Sequence, residues 1–414
     1  MKFLQSYPNE VKIFLAASLI NSAGGSLMWP LTTMYVFDEL GRSMADAGLV
    51  VMIQAFGGII GQLLGGALYH RVGVKRLIVG SLGLCSLGLF ALPFISSFWV
   101  LYMIMMGFIG LCNAVSMPAI QAFVGFRFAD RRGELFNVIY VANNIGVALG
   151  TALSGFLADV SYHLTFILNG ATSAVLALFF LNYLNRLDKQ EGPVHLAKKT
   201  KAGTGESVPA LLGNTRLYLY LGLGSLFLWF GNSIWNTGVS PHIISEGLPK
   251  RAYGFLWTLN GILIFVAQPV TTWIKRWFAK ESSSQMTASG LFYLAAYVVI
   301  LMLPSYSGLL FAMVLATLGE MLISPAVPAF ISDHAHKAAP FYIGVTGGMT
   351  ALGRMTALGR MIGPYFMGIL YDGGGLAPVA WLSIGIAVVA VLCFVVHAMR
   401  NKAAERALSE SIGG

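Results

Sequence analysis

The chain has 414 residues, of which 57% are hydrophobic and only 10% are charged, and its mean hydropathy is +0.73. A soluble globular protein has about 25% charged and 45–50% apolar residues, so a soluble multidomain enzyme is excluded. Collagen-like and disordered chains are excluded as well, because glycine has no three-residue period and apolar residues are abundant. The 48 glycines suit helices packed closely in lipid, and the composition predicts an all-α membrane protein.

Twelve apolar runs are long enough to cross the hydrocarbon as helices, which takes about 20 residues each. In chain order they cover residues 13–37, 47–69, 77–95, 98–124, 135–157, 164–184, 217–239, 253–274, 286–303, 309–331, 341–371 and 379–399. Lys2 and Lys12 before the first run are typical of a signal peptide. The run continues past Trp29 and further runs follow, so we expect a retained helix.

One long polar stretch, residues 185–215, divides the twelve predicted spans six and six. Its lysines stand among Gly, Thr and Ser, which is typical of a cytoplasmic linker, and lysines beside a membrane usually meet anionic lipid rather than nucleic acid. We therefore predict two six-helix bundles, residues 1–184 and residues 216–414 with a cytoplasmic tail. Paired bundles are typical of secondary transporters, whose substrate site lies between the repeats near the membrane midplane.

The distribution of basic residues predicts the orientation. Of the 26 lysines and arginines, all but five fall in segments that are cytoplasmic if the N-terminus is inside. The exceptions are Arg42, Lys250 and Arg251 in outer loops, and Arg354 and Arg360 within the eleventh span. By the positive-inside rule, both termini are expected in the cytoplasm. The net charge of +9 therefore records orientation rather than a nucleic-acid partner.

Three short stretches carry a family resemblance. The first is the loop after the second span, which contains Gly66, His70, Arg71, Gly73, Lys75 and Arg76. The second lies in the fifth span and has spaced glycines at Gly146, Gly150 and Gly155. The third lies in the eleventh span and contains Gly359, Gly363, Pro364 and Gly368. In these stretches the chain resembles the major facilitator superfamily, in its loop 2–3 signature and in the antiporter signature of its drug exporters. The resemblance extends over essentially the whole chain and implies a twelve-helix transporter fold.

Two departures from those signatures stand out. His70 occupies the place where the family usually has aspartate, which puts in doubt the charge-relay latch that the aspartate is thought to form. Thr151 replaces the proline of the antiporter signature in the fifth span. Small residues four positions apart also make a general helix-packing face, so both interpretations of the glycines stay open.

Glu320 is the one acidic residue that this topology leaves within the hydrocarbon, about halfway along the tenth span. A charge at that depth costs roughly 2.5–3.5 kcal/mol on insertion scales, so the side chain is expected to face the protein interior or a water-filled cavity. Loss of water favours the protonated carboxyl group, which would let Glu320 load a proton outside and release it inside. Gly319-Glu320 followed by Pro325 resembles an element of proton-coupled multidrug exporters. A structural glutamate, paired with an arginine or the backbone, is the alternative.

Two arginines of the eleventh span are candidate partners for Glu320. They end two identical copies of Met-Thr-Ala-Leu-Gly-Arg, at residues 349–354 and 355–360. Six residues turn a helix by about 600°, so the two arginines cannot share a face. Counting about 1.5 Å per residue from the inner ends places Arg354 within about 3 Å of the depth of Glu320, and Arg360 about 9 Å further out. A nearby arginine would favour the charged carboxylate, so loading would require the pair to separate.

Polar and aromatic side chains within the spans are the candidates for contact with a substrate. Amides together with aromatic and methionine side chains form the adaptable surfaces that promiscuous binding sites use, although most such residues pack or bridge helices. The candidates are Asn21, Met28, Tyr35, Gln54, Asn113, Gln121, Asn143, Asn144, Trp229, Asn232, Trp235, Asn236, Asn260 and Gln268. Asp38, at the outer end of the first span, is a second candidate carboxylate for proton coupling.

Three classes of function are compatible with these features. The first is proton-driven antiport, the efflux of lipophilic or cationic drugs by alternating access, which the membrane acid and the antiporter-like stretches favour. The second is proton-coupled transport of a specific small solute, such as a sugar, a peptide or a lipid headgroup. The third, a membrane enzyme or receptor, is disfavoured because no Walker-type loop, His-Glu-x-x-His pair or Gly-x-Ser-x-Gly elbow occurs.

The partners follow from the first class. We expect a monomer in the cell membrane whose partners are protons, a small-molecule substrate and the lipid bilayer. No cofactor, metal ion, nucleic acid or enzymatic activity is expected.

Overall fold

A computed structural model of the chain describes residues 9–127, 132–191, 215–335 and 355–413, and the regular elements in these ranges are helical. The long helices are α1 Asn9–Met28, α2 Met44–Val72, α3 Val74–Ile95, α4 Trp99–Arg127, α5 Arg132–Val160, α6 Tyr162–Glu191, α7 Thr215–Gly231, α8 Lys250–Val266, α9 Gln268–Trp277, α10 Ser282–Met302, α11 Tyr306–Ala335, α12 Met355–Gly374 and α13 Leu376–Gly413.

Helices α1 and α7 are both followed by short helical turns that include a π-helical turn. After α1 come a 3₁₀ turn at Trp29–Leu31, a single α turn at Thr32–Met34 and a π-helical turn at Tyr35–Glu39. After α7 come a π-helical turn at Trp235–Val239 and a short helix at Ser240–Ser245. Such π turns are rare and occur often at functional sites. The first of them contains the candidate carboxylate Asp38.

Eight helices in the described ranges are long and apolar enough to cross a membrane, or nine if α8 and α9, which are bent by 60°, form one span. The first, seventh and eleventh predicted spans do not meet this test. α7 has only 17 residues, fewer than the roughly 20 that a span needs, and several side chains at the start of α1 lie outside the described residues. Residues 341–354 of the eleventh span lie outside the described residues. The twelve-span arrangement therefore stays a prediction.

The chain divides into two compact units. Unit 1 comprises Met1–Arg42, Leu49–Thr200 and Ile243–Gly261, and unit 2 comprises Ser43–Gly48, Lys201–His242 and Ile262–Gly414. The start of α2 thus belongs to unit 2, and most of α8 belongs to unit 1. The predicted boundaries at residues 184 and 216 stay a prediction, and residues 192–214 of the proposed linker lie outside the described residues.

Each unit has its own helix packing. In unit 1, α1 packs against α5 and α6, and α3 packs against α4 and α6. In unit 2, α10 packs against α11 and α13, and α7 packs against α12 and α13. Large apolar side chains such as Leu87, Phe94 and Val100 are 66%, 82% and 63% exposed, which is the arrangement that lipid-facing helices require because hydrocarbon replaces water around them.

Candidate functional site

Glu320 lies midway along α11 and is partly buried. The preceding residue, Gly319, lets α11 approach α10 closely: a Cβ there would lie 2.9 Å from Cδ2 of Tyr293 and 3.1 Å from the backbone oxygen of Ser289. The Ser289 hydroxyl donates a hydrogen bond of 2.7 Å to the Gly319 carbonyl. This contact between two helices fixes the backbone from which the Glu320 side chain extends.

Arg360 is placed in the same way, by a glycine directly before it. A Cβ on Gly359 would overlap the backbone carbonyl of Leu226 and lie 2.9 Å from the backbone nitrogen of Phe230, so α12 lies directly against α7. The guanidinium carbon of Arg360 is 3.6 Å from the centroid of the Trp229 ring, within the range of a cation–π interaction. Although it belongs to an apolar helix, Arg360 is exposed.

Glu320 and Arg360 interact electrostatically, and both interact with the buried side chain of Tyr293. The carboxylate and the guanidinium do not form a direct ion pair, and the guanidinium has no hydrogen-bond acceptor among the described residues. All four side chains, including Trp229, belong to unit 2. The site therefore presents a carboxylate and a cation that are close but separated, with an indole against the cation.

Of the two candidate arginine partners of Glu320, the structure describes Arg360, which interacts electrostatically with the carboxylate. The predicted depths of the two arginines stay predictions. Arg354 and the rest of the first repeat copy lie outside the described residues.

Asp38 has direct partners. Its Oδ2 lies 3.0 Å from Nζ of Lys250 and accepts a hydrogen bond of 3.0 Å from the Tyr162 hydroxyl. The same ammonium lies over the Tyr162 ring, 4.0 Å from its centroid. Ammonium, phenol and carboxylate thus contact one another in unit 1, and they join the π-helical turn to the first residues of α6 and α8.

Two further carboxylates bind the starts of helices. Both oxygens of Asp372 accept hydrogen bonds of 2.8 Å, from the backbone N–H groups of Met44 and Ala45 at the start of α2. Asp159 accepts a hydrogen bond of 2.9 Å from the backbone N–H of Lys250 at the start of α8. Helix starts carry unpaired N–H groups and partial positive charge, which carboxylates satisfy. Neither residue is among the candidates predicted from the sequence.

A signal for these carboxylates was present in the two glycine-spaced stretches. Asp159 follows Gly155 by four residues, and Asp372 follows Gly368 by four residues. In both stretches the glycines permit close approach of helices. In the first stretch, Gly146 and Gly150 lie against α1, and Gly155 lies against the backbone of Arg251 in α8. In the second stretch, Gly359 and Gly363 lie against α7 and the residues that follow it, Gly368 lies against Met44 of α2, and the Pro364 carbonyl lies against Gly48.

The candidate substrate contacts separate into different surroundings. Trp229 lies against Arg360 in the site of unit 2. Met28, Tyr35 and Trp235 are at most 3% exposed, so they fill the core. Asn143 accepts a hydrogen bond of 2.9 Å from the Ser22 hydroxyl, which joins α5 to α1. Met28, Tyr35 and Trp235 thus have packing roles, and Asn143 joins two helices.

The remaining candidates lie elsewhere on the helices. Gln268 is exposed at the start of α9 and donates a hydrogen bond of 2.7 Å to the Ile264 carbonyl. Asn113 is exposed as well. The partly buried amides are Asn21, Gln54, Asn144, Asn232, Asn236 and Asn260. The side chain of Gln121 lies outside the described residues.

The loop between α2 and α3 contains the first signature. Gly73 has a φ of +85°, a left-handed conformation that favours glycine. Lys75 forms an ion pair of 3.2 Å with Asp188 near the end of α6, and Arg76 is exposed. The side-chain surroundings of Gly66, His70 and Arg71 lie outside the described residues.

Comparison with known families and proteins gives a consistent result. The family model described as the Major Facilitator Superfamily matches residues 14–357. The chain is 31% identical over 399 residues to an uncharacterized MFS-type transporter, YttB of Bacillus subtilis (strain 168), with 96% of this chain and 97% of the relative covered. It is 25% identical over 379 residues to the quinolone resistance protein NorA of Staphylococcus aureus, with 90% and 92% covered.

Two solved structures show the same fold. The nucleoside transporter NupG matches with a TM-score of 0.72 at 13% identity, over 95% of this chain and 100% of that chain. The POT family transporter PepTSo matches with a TM-score of 0.74 at 14% identity, over 97% and 99%. At these identities the likeness concerns the fold alone.

Proposed function

The chain belongs to the major facilitator superfamily, and we propose that it is a secondary active transporter that exports lipophilic or cationic drugs in exchange for protons. The observation that carries the proposal is Glu320, a titratable carboxylate midway along a helix apolar enough to span the membrane, beside the exposed Arg360. The similarity to a quinolone resistance protein along 90% of the chain supports export of drugs.

Exchange follows from competition for one carboxylate. Ionised Glu320 attracts the cationic group of a drug. A proton that binds Glu320 removes the negative charge, and the drug loses its electrostatic partner. Because a proton and a cationic group cannot both neutralise the same carboxylate, inward movement of protons drives outward movement of drug when the site opens to the two sides in turn.

The proposal includes the arrangement predicted from the sequence. The protein is then a monomer with twelve spans in two six-helix bundles, joined by the linker at residues 185–215. Both termini lie in the cytoplasm, and the protein lies in the cell membrane. It acts without a cofactor and catalyses no chemical conversion.

Transport of one specific small solute is the alternative function. Arg360 favours it, since a fixed cation offers a directed contact that a narrow-specificity site uses.

The experiment uses purified protein in proteoliposomes with an imposed pH gradient. We expect ethidium, a lipophilic cation, to accumulate on the acidic side, and nigericin to abolish the accumulation by collapsing the gradient. Glu320→Gln, which keeps the shape but cannot titrate, should reduce the gradient-driven rate at least tenfold. Glu320→Asp, which keeps the carboxylate, should retain part of it.

Two results would contradict the proposal. One is gradient-driven ethidium transport of unchanged rate in Glu320→Gln. The other is transport of a single nutrient without transport of any lipophilic cation, which would establish the alternative function.

A further inference from the structure

We infer that Arg360, held on the indole of Trp229, binds the acid group of a lipophilic zwitterionic substrate whose amine exchanges with a proton on Glu320. The inference rests on the proposed function for the role of Glu320. It adds a second recognition group to the site and narrows the substrate class from lipophilic cations to compounds that carry both an amine and an acid.

The geometry of Arg360 leaves its donors available. A guanidinium is planar and carries five N–H donors along its edges. The guanidinium carbon lies over the Trp229 ring, 3.6 Å from its centroid, so the indole lies against the guanidinium. The side chain is exposed, and its donors have no acceptor among the described residues. An edge of this kind binds a carboxylate through two parallel hydrogen bonds, which is the strongest common form of acid recognition.

The position of Arg360 is also fixed in advance. Gly359 packs on the backbone of Leu226 and Phe230, so the helix that carries the arginine cannot move away from α7 without losing this contact. Trp229 restricts the guanidinium further. A binding group held in place loses less conformational entropy when its ligand arrives, so Arg360 is suited to binding rather than to filling space.

The separation of the two charges selects the ligand. Glu320 and Arg360 interact electrostatically but are not in direct contact. A ligand with only a positive charge is attracted by Glu320 and repelled by Arg360. A ligand with only a negative charge is attracted by Arg360 and repelled by Glu320. A zwitterion places each of its charges against the opposite one and adds no net charge to a site within the membrane, where unpaired charge is costly.

The test uses four forms of one fluorescent compound. Nε-dansyl-lysine is a zwitterion, its methyl ester is a cation, its Nα-acetyl derivative is an anion, and the Nα-acetyl methyl ester is neutral. Binding to the purified full-length chain is measured by energy transfer from tryptophan to the dansyl group, at about pH 6, where the amine of the ester is protonated and the free carboxyl groups are ionised. We expect the zwitterion to bind at least tenfold more tightly than each of the other three forms.

The variants assign the effect to the arginine. Arg360→Gln should remove the tenfold preference for the zwitterion over its ester by weakening binding of the zwitterion. The ester should bind no more weakly than to the wild-type protein, because its repulsion by Arg360 is lost. Arg360→Lys should keep part of the preference, because lysine retains the charge but not the planar edge. Arg276→Gln, on the exposed face of α9, is the matched control and should change nothing.

The outcomes separate this inference from the proposed function. Equal affinity of the wild-type protein for zwitterion and ester, an unchanged preference in Arg360→Gln, or no binding of any form overturns the inference. If the ester is then still moved by a pH gradient in a Glu320-dependent way, the proposed function stands. Arg360-dependent binding of a zwitterion that no pH gradient moves has the opposite meaning: recognition is supported and proton exchange fails.

Discussion

Asp38 in unit 1 and Glu320 in unit 2 each lie near a basic side chain, but at different range. Asp38 contacts the Lys250 ammonium at 3.0 Å and accepts a hydrogen bond from Tyr162, whereas Glu320 interacts with Arg360 without direct contact. A carboxylate with a direct cation and a hydrogen-bond donor ties helices together. Glu320 interacts electrostatically with two groups of unit 2, Arg360 and Tyr293.

The local backbone explains part of this difference. Asp38 lies in a π-helical turn and reaches the starts of two other helices, α6 and α8. Glu320 lies on a regular helix, and its position depends on the packing of Gly319 against α10. The three predictions below test the contacts that place these carboxylates and the neighbouring start of α8, and they run from the largest expected effect to the smallest.

Close helix packing should matter most, because it places both charges of the unit 2 site. Alanine at Gly319 or Gly359 adds a methyl group where neighbouring atoms leave no room, and overpacking of this kind costs about 1–3 kcal/mol. We expect Gly359→Ala at the upper end, since the methyl group meets the backbone of Leu226. Thermal unfolding in detergent measures the loss of stability.

The control for these variants is Gly385→Ala in α13. A Cβ there would meet nothing within 4 Å, and alanine is favoured over glycine in a helix by up to about 1 kcal/mol. Gly385→Ala should therefore be as stable as the wild-type protein or more so. If Gly359→Ala unfolds at the same temperature as Gly385→Ala, the tight contact between α7 and α12 does not contribute to the stability of the protein.

Loss of the Asp38 charge should have a moderate effect on stability and none on coupling. Asp38→Asn removes the ion pair with Lys250, whose side chain is 23% exposed while that of Asp38 is 26% exposed, and such a pair contributes about 1 kcal/mol or less. A double-mutant cycle with Lys250→Met measures the interaction. The pH-gradient-driven transport rate per folded molecule should stay near the wild-type value. A folded Asp38→Asn variant without gradient-driven transport would give Asp38 the role assigned to Glu320.

The smallest effect is expected at Arg251. Its Nη1 lies 3.4 Å from Oδ2 of Asp159, and the arginine side chain is 50% exposed, so Arg251→Gln should cost less than about 0.5 kcal/mol. Asp159→Ala should cost more, about 0.5–2 kcal/mol, because it also removes the acceptor for the Lys250 backbone N–H at the start of α8. The reverse order in chemical denaturation would show that the surface ion pair, and not the helix start, is the stabilising contact.

Several features could be predicted from the chain alone because they depend on composition or local order. The low charge and high hydropathy predict a membrane protein, because a folded chain of this size cannot bury so many apolar side chains in its own core and lipid must cover the rest. The glycine-spaced stretches and the loop after the second span indicate the superfamily, and the family model confirms it. Glu320 could be singled out because a charge is costly in hydrocarbon wherever the helices pack.

Other features depend on which helices pack together, and this packing cannot be derived by counting residues along the chain. The packing of helices within unit 2 decides that Arg360 interacts with Glu320. Burial of Tyr35 and Trp235 follows from neighbours distant in the sequence. Composition and spacing thus determine that the chain enters a membrane and which carboxylate is exceptional there. Only the tertiary structure decides which groups surround that carboxylate, because electrostatic interactions depend on distance in space.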